Sequence, residues 1–201
     1  MEVASRAGWA PLDLAAACLR GGARCLQIRA KAIGGAELLD LSTRLADLAH
    51  RAGAVVIVND RADIARLSGA DGVHVGQDDL SPAAARALVG AAAIVGLSTH
   101  TRAQIDVAIG AAVDYIAVGP VFSTVAKTTP YAPVGLDLVR YAAEKSRPAL
   151  GVVAIGGITL DRAPAVIAAG ATMVAVITDL VVGGDPEARV RAYLACLDGR
   201  V

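Results

Sequence analysis

The sequence lacks the features that mark several large classes of protein. Its three cysteines, Cys18, Cys25 and Cys196, are odd in number and have no paired spacing, so they indicate neither a disulfide framework nor a structural zinc site. Its 19 basic residues balance its 19 acidic residues without a polybasic run, which argues against nucleic acid or an anionic membrane surface as a partner. We therefore expect a reducing, cytoplasmic location and small-molecule partners. The sequence leaves the oligomeric state open, a homo-oligomer included.

Long hydrophobic runs are also missing. The apolar stretch 163–177 is shorter than a membrane span and is interrupted by Gly170, and the N-terminal residues lack the basic-then-apolar order of a signal peptide. No low-complexity linker divides the 201 residues, of which 55% are hydrophobic. This length and composition predict one compact domain over residues 1–201 with a large core.

What the sequence does contain is a regular alternation of short apolar runs and amphipathic segments. The amphipathic segments are typified by Leu38, Leu41, Leu45 and Leu48, which share one helical face. The apolar runs are rich in valine and isoleucine and do not alternate with polar residues, as expected for strands of a parallel sheet covered by helices. They occupy residues 25–28, 54–58, 72–75, 93–97, 115–118, 151–155 and 173–177.

This alternation predicts an α/β fold, either a doubly wound sheet or a TIM (β/α)8 barrel, and the register of the glycine-ended runs favours the barrel. Seven strands are evident from the sequence. An eighth should precede the helix expected at about 12–20, but the N-terminus offers only residues 2–4 as an apolar fragment, too short for an ordinary strand. We expect a barrel whose first strand is short or missing, through natural loss or through a start codon placed downstream of the true one.

Two acidic residues follow neighbouring apolar runs. Asp60 comes after the run that ends at residue 58, and Asp79 after the run that ends at residue 75, with Asp78 as a competitor for the same role. In a barrel, the catalytic face is formed by loops at the carboxyl ends of the strands. Two carboxylates together with phosphate oxygens and waters suit Mg²⁺, whereas the alternative is a helix cap or a surface acid.

Basic and amide side chains follow other runs. Gln27, Arg29 and Lys31 alternate, so an extended strand would project all three to one side. There the arginine can bind phosphate oxygens through two N–H groups, the lysine supplies a positive charge, and the amide can pair with a heterocycle. Lys127, in the loop after Gly119, can neutralise a departing phosphate. The alternatives are an exposed, ion-paired edge and a solvated loop lysine.

A glycine pair and several other polar residues add to this predicted site. Gly156 and Gly157 let an oxyanion approach peptide N–H groups closely, although a tight strand-to-helix turn would also explain them. Ser98 closes an apolar run and can donate to the same anion, or begin a turn. His74, within an apolar run, is typical of a core histidine, whereas His100, near a strand end, is a candidate for proton transfer.

These residues lie in a series of motifs that span nearly the whole chain. The motifs are LQIRAK (26–31), VNDRADIA (58–65), GADGVHVGQDDL (69–80), GLSTH (96–100), DYIAVGPVFSTVAK (114–127), VVAIGGI (152–158) and MVAVIT (173–178). At these motifs, and in this order, the sequence resembles the thiamine phosphate synthase family. The combination is far more specific than any one of the motifs.

The resemblance implies a transferase with an eight-stranded barrel. It would join 4-amino-2-methyl-5-(diphosphooxymethyl)pyrimidine to hydroxyethylthiazole phosphate, giving thiamine phosphate and pyrophosphate. The implied reaction is dissociative: pyrophosphate leaves first, and the thiazole nitrogen captures a pyrimidine methyl cation.

Carried over by motif, the family's site residues fall into three groups. The pyrimidine diphosphate would be contacted by Gln27, Arg29, Lys31, Asn59, Ser98 and Lys127, with Arg29, Lys31, Ser98 and Lys127 in catalytic roles. Mg²⁺ would be bound by Asp60 and Asp79. The thiazole phosphate would be held by Thr124, Gly157, Ile177 and Thr178, and the loop that contains Thr124 also carries Ala126 as a substrate-binding position.

The sequence departs from the family pattern in three places. Ala126 stands where the family commonly has a second threonine, so one hydroxyl to the thiazole phosphate is missing. Thr178 stands where serine is common, a mild change if backbone N–H groups do most of the binding. The weak first strand is the most serious departure, because an unclosed barrel leaves strand edges unpaired.

Two other functions fit part of this pattern. A thiazole tautomerase of the same superfamily needs no metal and would use a histidine such as His100 as acid and base. A catalytically silent paralogue would bind thiazole phosphate alone. The joint presence of Asp60, Asp79 and Lys127 favours the synthase, because neither alternative has a pyrophosphate to release.

Overall fold

The computed structural model describes residues 7–124, 131–146 and 150–198. Within these residues, strands and helices alternate along the chain. The strands are β1 (Cys25–Ile28), β2 (Val55–Asn59), β3 (Gly72–Val75), β4 (Ile94–Thr99), β5 (Tyr115–Val118), β6 (Gly151–Ile155) and β7 (Met173–Ala175). The helices are α1 (Pro11–Arg20), α2 (Gly35–Arg51), α3 (Ala62–Ser68), α4 (Pro82–Val89), α5 (Arg102–Ile109), α6 (Gly135–Ser146), α7 (Ala163–Ala168) and α8 (Pro186–Asp198), with a 3-10 segment at Thr178–Gly184.

Consecutive strands pair with one another in parallel, so that the sheet has the order β1-β2-β3-β4-β5-β6-β7. Each connection between strands contains a helix, which is the connectivity of a TIM barrel and confirms the predicted fold class. Within the described residues, β1 and β7 do not pair with each other. The fragment at 2–4 lies outside those residues, so the short first strand stays a prediction.

The strand boundaries follow the predicted runs closely. The runs 25–28, 72–75, 115–118 and 151–155 coincide with strands. β2 extends to Asn59 and β4 to Thr99, because these residues still pair with His74 and Val118 in the parallel ladder. β7 ends at Ala175 instead of at residue 177, because Ile177, at φ −124° and ψ −76°, has left the extended region.

Two helices begin with a side-chain cap. The hydroxyl of Ser81 accepts a hydrogen bond from the N–H of Ala84 at 3.2 Å, at the start of α4. Oδ1 of Asp185 accepts one from the N–H of Ala188 at 2.9 Å, at the start of α8. Each cap satisfies a donor that the first turn of a helix leaves without an intrahelical partner. In the described part of the chain, no helix combines the length and the apolar character that crossing a bilayer requires.

The core lies between the sheet and the helices that cover it. Val56 and Val58 of β2, and Val73 and Val75 of β3, are at 0% exposure. Complete burial of a valine side chain contributes roughly 1.5–3 kcal/mol to folding. All four residues of β3 are buried, which is why this run shows no alternation with exposed polar residues.

A repeated hydrogen bond joins neighbouring strands at their amino ends. The residue directly before β3, β5 and β7 accepts a side-chain hydrogen bond from a peptide N–H of the preceding strand. The pairs are Asp71 with Val56 at 2.7 Å, Asp114 with Val95 at 2.7 Å and Thr172 with Val152 at 3.1 Å. These bonds fix the register of three strand pairs at the end of the sheet opposite to the predicted site.

One buried hydroxyl is a weak point of this core. Ser42 of α2 is at 0% exposure, and its Oγ has no hydrogen-bond partner in the described residues. A buried hydroxyl without a partner costs about 1–3 kcal/mol, and alanine is the better helix former. We therefore predict that Ser42→Ala raises the free energy of unfolding by about 1 kcal/mol in urea denaturation.

Ser68→Ala is the matched control for this prediction. Ser68 is also buried at the end of a helix, but its Oγ accepts from the N–H of Ala70 at 3.4 Å and donates to the carbonyl of Ala65 at 3.4 Å. Its replacement should lower stability. If both variants lose stability to the same extent, the Ser42 hydroxyl does not destabilise the folded state.

Candidate active site

The polar residues predicted from the sequence collect at one side of the sheet. Because all strands are parallel, their carboxyl ends lie on the same side, which we call the carboxyl edge. Gln27 lies in β1, Asn59 is the last residue of β2, and Ser98 is the residue before the end of β4. Gly157 and Ile177 follow β6 and β7 at the same edge.

The prediction that one strand carries Gln27, Arg29 and Lys31 is wrong for two of the three. β1 ends at Ile28, so Arg29 and Lys31 lie in the loop that follows it. The loop nevertheless brings Lys31 to the site, where its Nζ lies 2.7 Å from Oδ2 of Asp60. This ion pair joins the carboxyl ends of β1 and β2.

The backbone at Asp60 has an unusual conformation that is held by the sheet. Its φ is +64°, a left-handed value that costs a non-glycine residue about 1 kcal/mol, least for Asp and Asn. The N–H of Asp60 donates to the carbonyl of His74 in β3 at 2.7 Å. The carboxylate is thereby presented to Lys31 with its side chain 20% exposed, accessible to a ligand.

The second predicted metal ligand, Asp79, lies in the turn after β3. Its Oδ2 accepts a hydrogen bond from the N–H of Gly76 at 2.8 Å, which holds the carboxylate over the end of that strand. The described residues contain no group of three or more potential metal ligands. A pair of carboxylates at neighbouring strand ends still fits Mg²⁺, which is commonly bound through one or two carboxylates plus substrate oxygens and waters.

A buried polar cluster lies just below the carboxyl edge. Nε2 of His74 is 2.8 Å from Oγ of Ser98, and Nδ1 of His74 is 2.9 Å from the hydroxyl of Tyr115. The amide of Gln77 donates to the carbonyl of Ser98 at 2.6 Å. Burial raises the pKa of Tyr115 above its ordinary value, so that its phenol stays protonated. His74 is thus a core histidine, as predicted, but it bonds directly to a predicted site residue.

The glycine pair after β6 is packed against the loop after β5. Gly156 and Gly157 have φ values of +89° and +66°. A Cβ on Gly157 would lie 2.5 Å from the carbonyl oxygen of Ser123 and 2.8 Å from Cβ of Phe122, so a side chain there is excluded. This close approach places Thr124, the next residue along, beside the same turn. The structure therefore brings together two of the residues predicted for the thiazole phosphate.

The structure constrains the remaining predicted site residues less closely. Ile177 is 50% exposed, and Thr178 begins the 3-10 segment directly after it. Ala126 and Lys127 lie outside the described residues, so their roles stay predictions.

Comparison with known proteins identifies the family to which this arrangement belongs. Residues 5–180 match the family described as thiamine monophosphate synthase. The chain belongs to this family. The resemblance found in the sequence motifs is thereby confirmed.

Several relatives match over most of their length. The chain is 43% identical to the thiamine-phosphate synthase of Arthrobacter sp. (strain FB24), over 92% of this chain and 87% of that protein. It is 46% identical to the thiamine-phosphate synthase of Koribacter versatilis (strain Ellin345), over 88% and 82%. Among solved structures, thiamine phosphate pyrophosphorylase from Pyrococcus furiosus matches with a TM-score of 0.85 and 28% identity, over 94% of this chain and 90% of that chain.

In this member of the thiamine monophosphate synthase family, Asp179 is a site-supporting residue that sequence reasoning missed. It is 7% exposed, and its Oδ2 accepts from the N–H of Leu160 at 3.2 Å, from Nη2 of Arg189 at 2.7 Å and from the hydroxyl of Tyr193 at 2.5 Å. Burial and the bond to Asp179 raise the pKa of Tyr193. The carboxylate thus ties the loop after β6 to the segment that begins at Thr178. The signal for this role in the sequence was a single acidic residue, Asp179, within the apolar stretch that follows residue 173.

Arg162 is a second residue that the sequence did not reveal. Its Nη1 donates to the carbonyl of Gly157 at 2.9 Å, and its guanidinium lies 4.8 Å from the centre of the Phe122 ring. Both contacts hold the glycine turn against the loop after β5.

His100, the candidate for proton transfer, lies at the carboxyl edge but is held by its surroundings. Its Nδ1 bonds to the carbonyl of Gly119, and its ring stacks on Tyr131 with centroids 3.7 Å apart and planes 16° from parallel. The backbone N–H of His100 donates to Gln104 at 2.7 Å. With one ring nitrogen occupied by a carbonyl, these contacts favour an anchoring role for the ring.

We predict that Asp179→Asn lowers the free energy of unfolding by about 2–3 kcal/mol, because the neutral amide oxygen accepts these hydrogen bonds more weakly than a carboxylate and leaves Arg189 without its counter-charge. Urea denaturation measures this loss. Asp185→Asn is the matched control, since Asp185 is an exposed N-cap and asparagine caps helices equally well. Equal stability of the two variants would contradict the structural role of Asp179.

Proposed function

We propose that this protein is a thiamine phosphate synthase that uses Mg²⁺ to join 4-amino-2-methyl-5-(diphosphooxymethyl)pyrimidine to hydroxyethylthiazole phosphate. The observation that carries the proposal is the ion pair of Lys31 with Asp60 at the carboxyl edge, with Asp79 at the end of the next strand. A lysine and two carboxylates at the ends of neighbouring strands suit a diphosphate and a divalent ion. Family membership, and the identity to relatives named as this synthase, support the same substrates.

In the proposed reaction, the C–O bond between the pyrimidine methylene carbon and the diphosphate breaks first. Its electron pair leaves with pyrophosphate, and positive charge develops on the methylene carbon. The lone pair of the thiazole nitrogen then forms the new C–N bond. Separation of charge is the costly part of this sequence, so groups that stabilise the leaving pyrophosphate have the largest effect on the rate.

The basic residues of the loop after β1 take this role. Arg29 and Lys31 neutralise the negative charge that grows on the pyrophosphate, together with Lys127 from the loop after β5. Ser98 donates its hydroxyl hydrogen to the same group. When bound by Asp60 and Asp79, Mg²⁺ supplies further positive charge to the diphosphate oxygens.

The remaining residues orient the two rings. Gln27 pairs with the pyrimidine, whose position is completed by Asn59 at the end of β2. The phosphate of the thiazole substrate binds at Gly157 and Thr124 and at the backbone of Ile177 and Thr178. Ala126 supplies no hydroxyl, so we propose that backbone N–H groups carry more of this binding.

The direct test of the proposal is product formation. Incubation of the protein with both substrates and Mg²⁺ is expected to yield thiamine phosphate and pyrophosphate in equal amounts, measured by chromatography. Activity that survives complete removal of divalent ions would contradict the metal role. Metal-independent isomerisation of a thiazole carboxylate phosphate would identify a tautomerase, and calorimetric binding of thiazole phosphate without product would identify a silent paralogue.

Asp60→Asn tests the charge at the centre of the site. Asparagine tolerates the left-handed backbone at least as well as aspartate, so the fold should persist. We predict a fall in kcat of about 100-fold or more, because one negative ligand for the ion is lost. The control is Asp40→Asn, an acid with a 68% exposed side chain on α2, which should retain full turnover. Normal turnover of Asp60→Asn at saturating Mg²⁺ would remove Asp60 from the site.

A further inference from the structure

Three side chains from three strands form one hydrogen-bonded chain beneath the carboxyl edge. The chain begins at the phenol of Tyr115 in β5. The phenol lies 2.9 Å from Nδ1 of His74 in β3, and Nε2 of His74 lies 2.8 Å from Oγ of Ser98 in β4. His74 and Ser98 are each 6% exposed. The chain therefore ends, on the side of the site, at the hydroxyl proposed to contact the diphosphate.

The hydrogens in this chain can run in either of two directions. A neutral imidazole has one N–H donor and one acceptor nitrogen, so the ring transmits the direction from Tyr115 to Ser98. If the phenol donates to Nδ1, Nε2–H donates to Ser98, and the Ser98 hydrogen remains available for a ligand. In the opposite direction, the Ser98 hydrogen points at Nε2, and the serine presents only lone pairs to the site.

The surroundings of Tyr115 favour the first direction. Burial raises the pKa of the phenol, so it keeps its hydrogen. Nδ1 of His74, at 2.9 Å, is the side-chain partner that the structure gives this phenol. A part-buried hydroxyl hydrogen without an acceptor is costly, so the phenol donates to Nδ1 and Nδ1 carries no hydrogen of its own.

We propose that His74 is a positioning residue which, protonated on Nε2 and unprotonated on Nδ1, turns the hydroxyl hydrogen of Ser98 toward the bound anion. The identity of that anion as a diphosphate rests on the proposed function. The orientation of Ser98 does not, because it is set by contacts within the protein. A pre-oriented donor stabilises developing negative charge without reorganisation during the reaction.

The sequence provides the space that this chain needs. A Cβ on Gly96 of β4 would lie 2.1 Å from Cζ of Tyr115 and 2.4 Å from its hydroxyl oxygen. The ring of Tyr115 therefore lies across the backbone of Gly96, where it stacks beside His74 with centroids 5.5 Å apart. Any larger residue at this position would push the phenol away from Nδ1.

Nitrogen NMR of the histidine side chains tests the tautomer directly. The protein has three histidines, so ¹⁵N-labelled His74 can be assigned by comparison with His50→Gln and His100→Gln, and with His74→Gln if that variant folds. We expect His74 to show a protonated Nε2 and an unprotonated Nδ1 in the ligand-free protein. A hydrogen on Nδ1, alone or together with one on Nε2, would overturn the proposal.

Kinetics test whether the chain acts through Ser98. Tyr115→Phe is expected to lower kcat about tenfold, and Ser98→Ala about 100-fold. In the Ser98→Ala background, Tyr115→Phe should not lower kcat any further, because its effect is transmitted through the Ser98 hydroxyl. Tyr141→Phe removes a phenol that bonds to Asp106 at the surface, and should leave kcat unchanged. Equal losses from Tyr115→Phe with and without Ser98 would overturn the proposal.

The two readouts separate the failure of this inference from the failure of the proposed function. If the protein forms no thiamine phosphate, the function is wrong, while the tautomer of His74 still decides the direction of the chain. If the protein is active but His74 carries its hydrogen on Nδ1, the proposed function is correct and the proposed role of His74 is wrong.

Discussion

Parallel pairing of consecutive strands is the constraint on which the rest of this structure depends. It brings every strand to its neighbour with the same polarity, so residues far apart in the sequence meet at one edge. The side chains of Asp71, Asp114 and Thr172 hold this pairing at the opposite end of the sheet. Stability and chemistry are thereby separated, and the loops at the carboxyl edge can carry charged groups without weakening the core.

Much of this could be predicted from the sequence because the signals are local. A run such as 54–58 is apolar throughout, which is typical of a strand covered on both sides, and a cap such as Ser81 lies next to the proline it precedes. The strand ends were less predictable. Asn59 and Thr99 are polar, yet they stay in their strands because the ladder of backbone hydrogen bonds continues through them whatever their side chains. Lys31 shows the reverse, since its spacing suggested a strand where the chain had already turned.

The contacts that support the site could not be predicted, because they join distant parts of the chain. Asp179 bonds to Leu160, Arg189 and Tyr193, none of which stands at a spacing that marks a motif. Tyr115 meets His74 across 41 residues, through a space that exists only because Gly96 has no side chain. Sequence patterns identify which residues have the right chemistry. The pairing of those residues is set by the three-dimensional arrangement of the strands.

The polar side chains of His74, Tyr115 and Ser98 inside the barrel indicate a functional role. A histidine, a tyrosine and a serine placed in the sheet cost several kcal/mol of desolvation unless each finds a partner, and valine would fill the same positions without that cost. Here they are partners to one another, and their chain runs from the phenol of Tyr115 toward the edge that also holds Lys31 and Asp60. A purely structural network could lie anywhere in the sheet. A network that ends at Ser98, on the side where a ligand would bind, is explained if the hydroxyl hydrogen of Ser98 is donated to a bound anion.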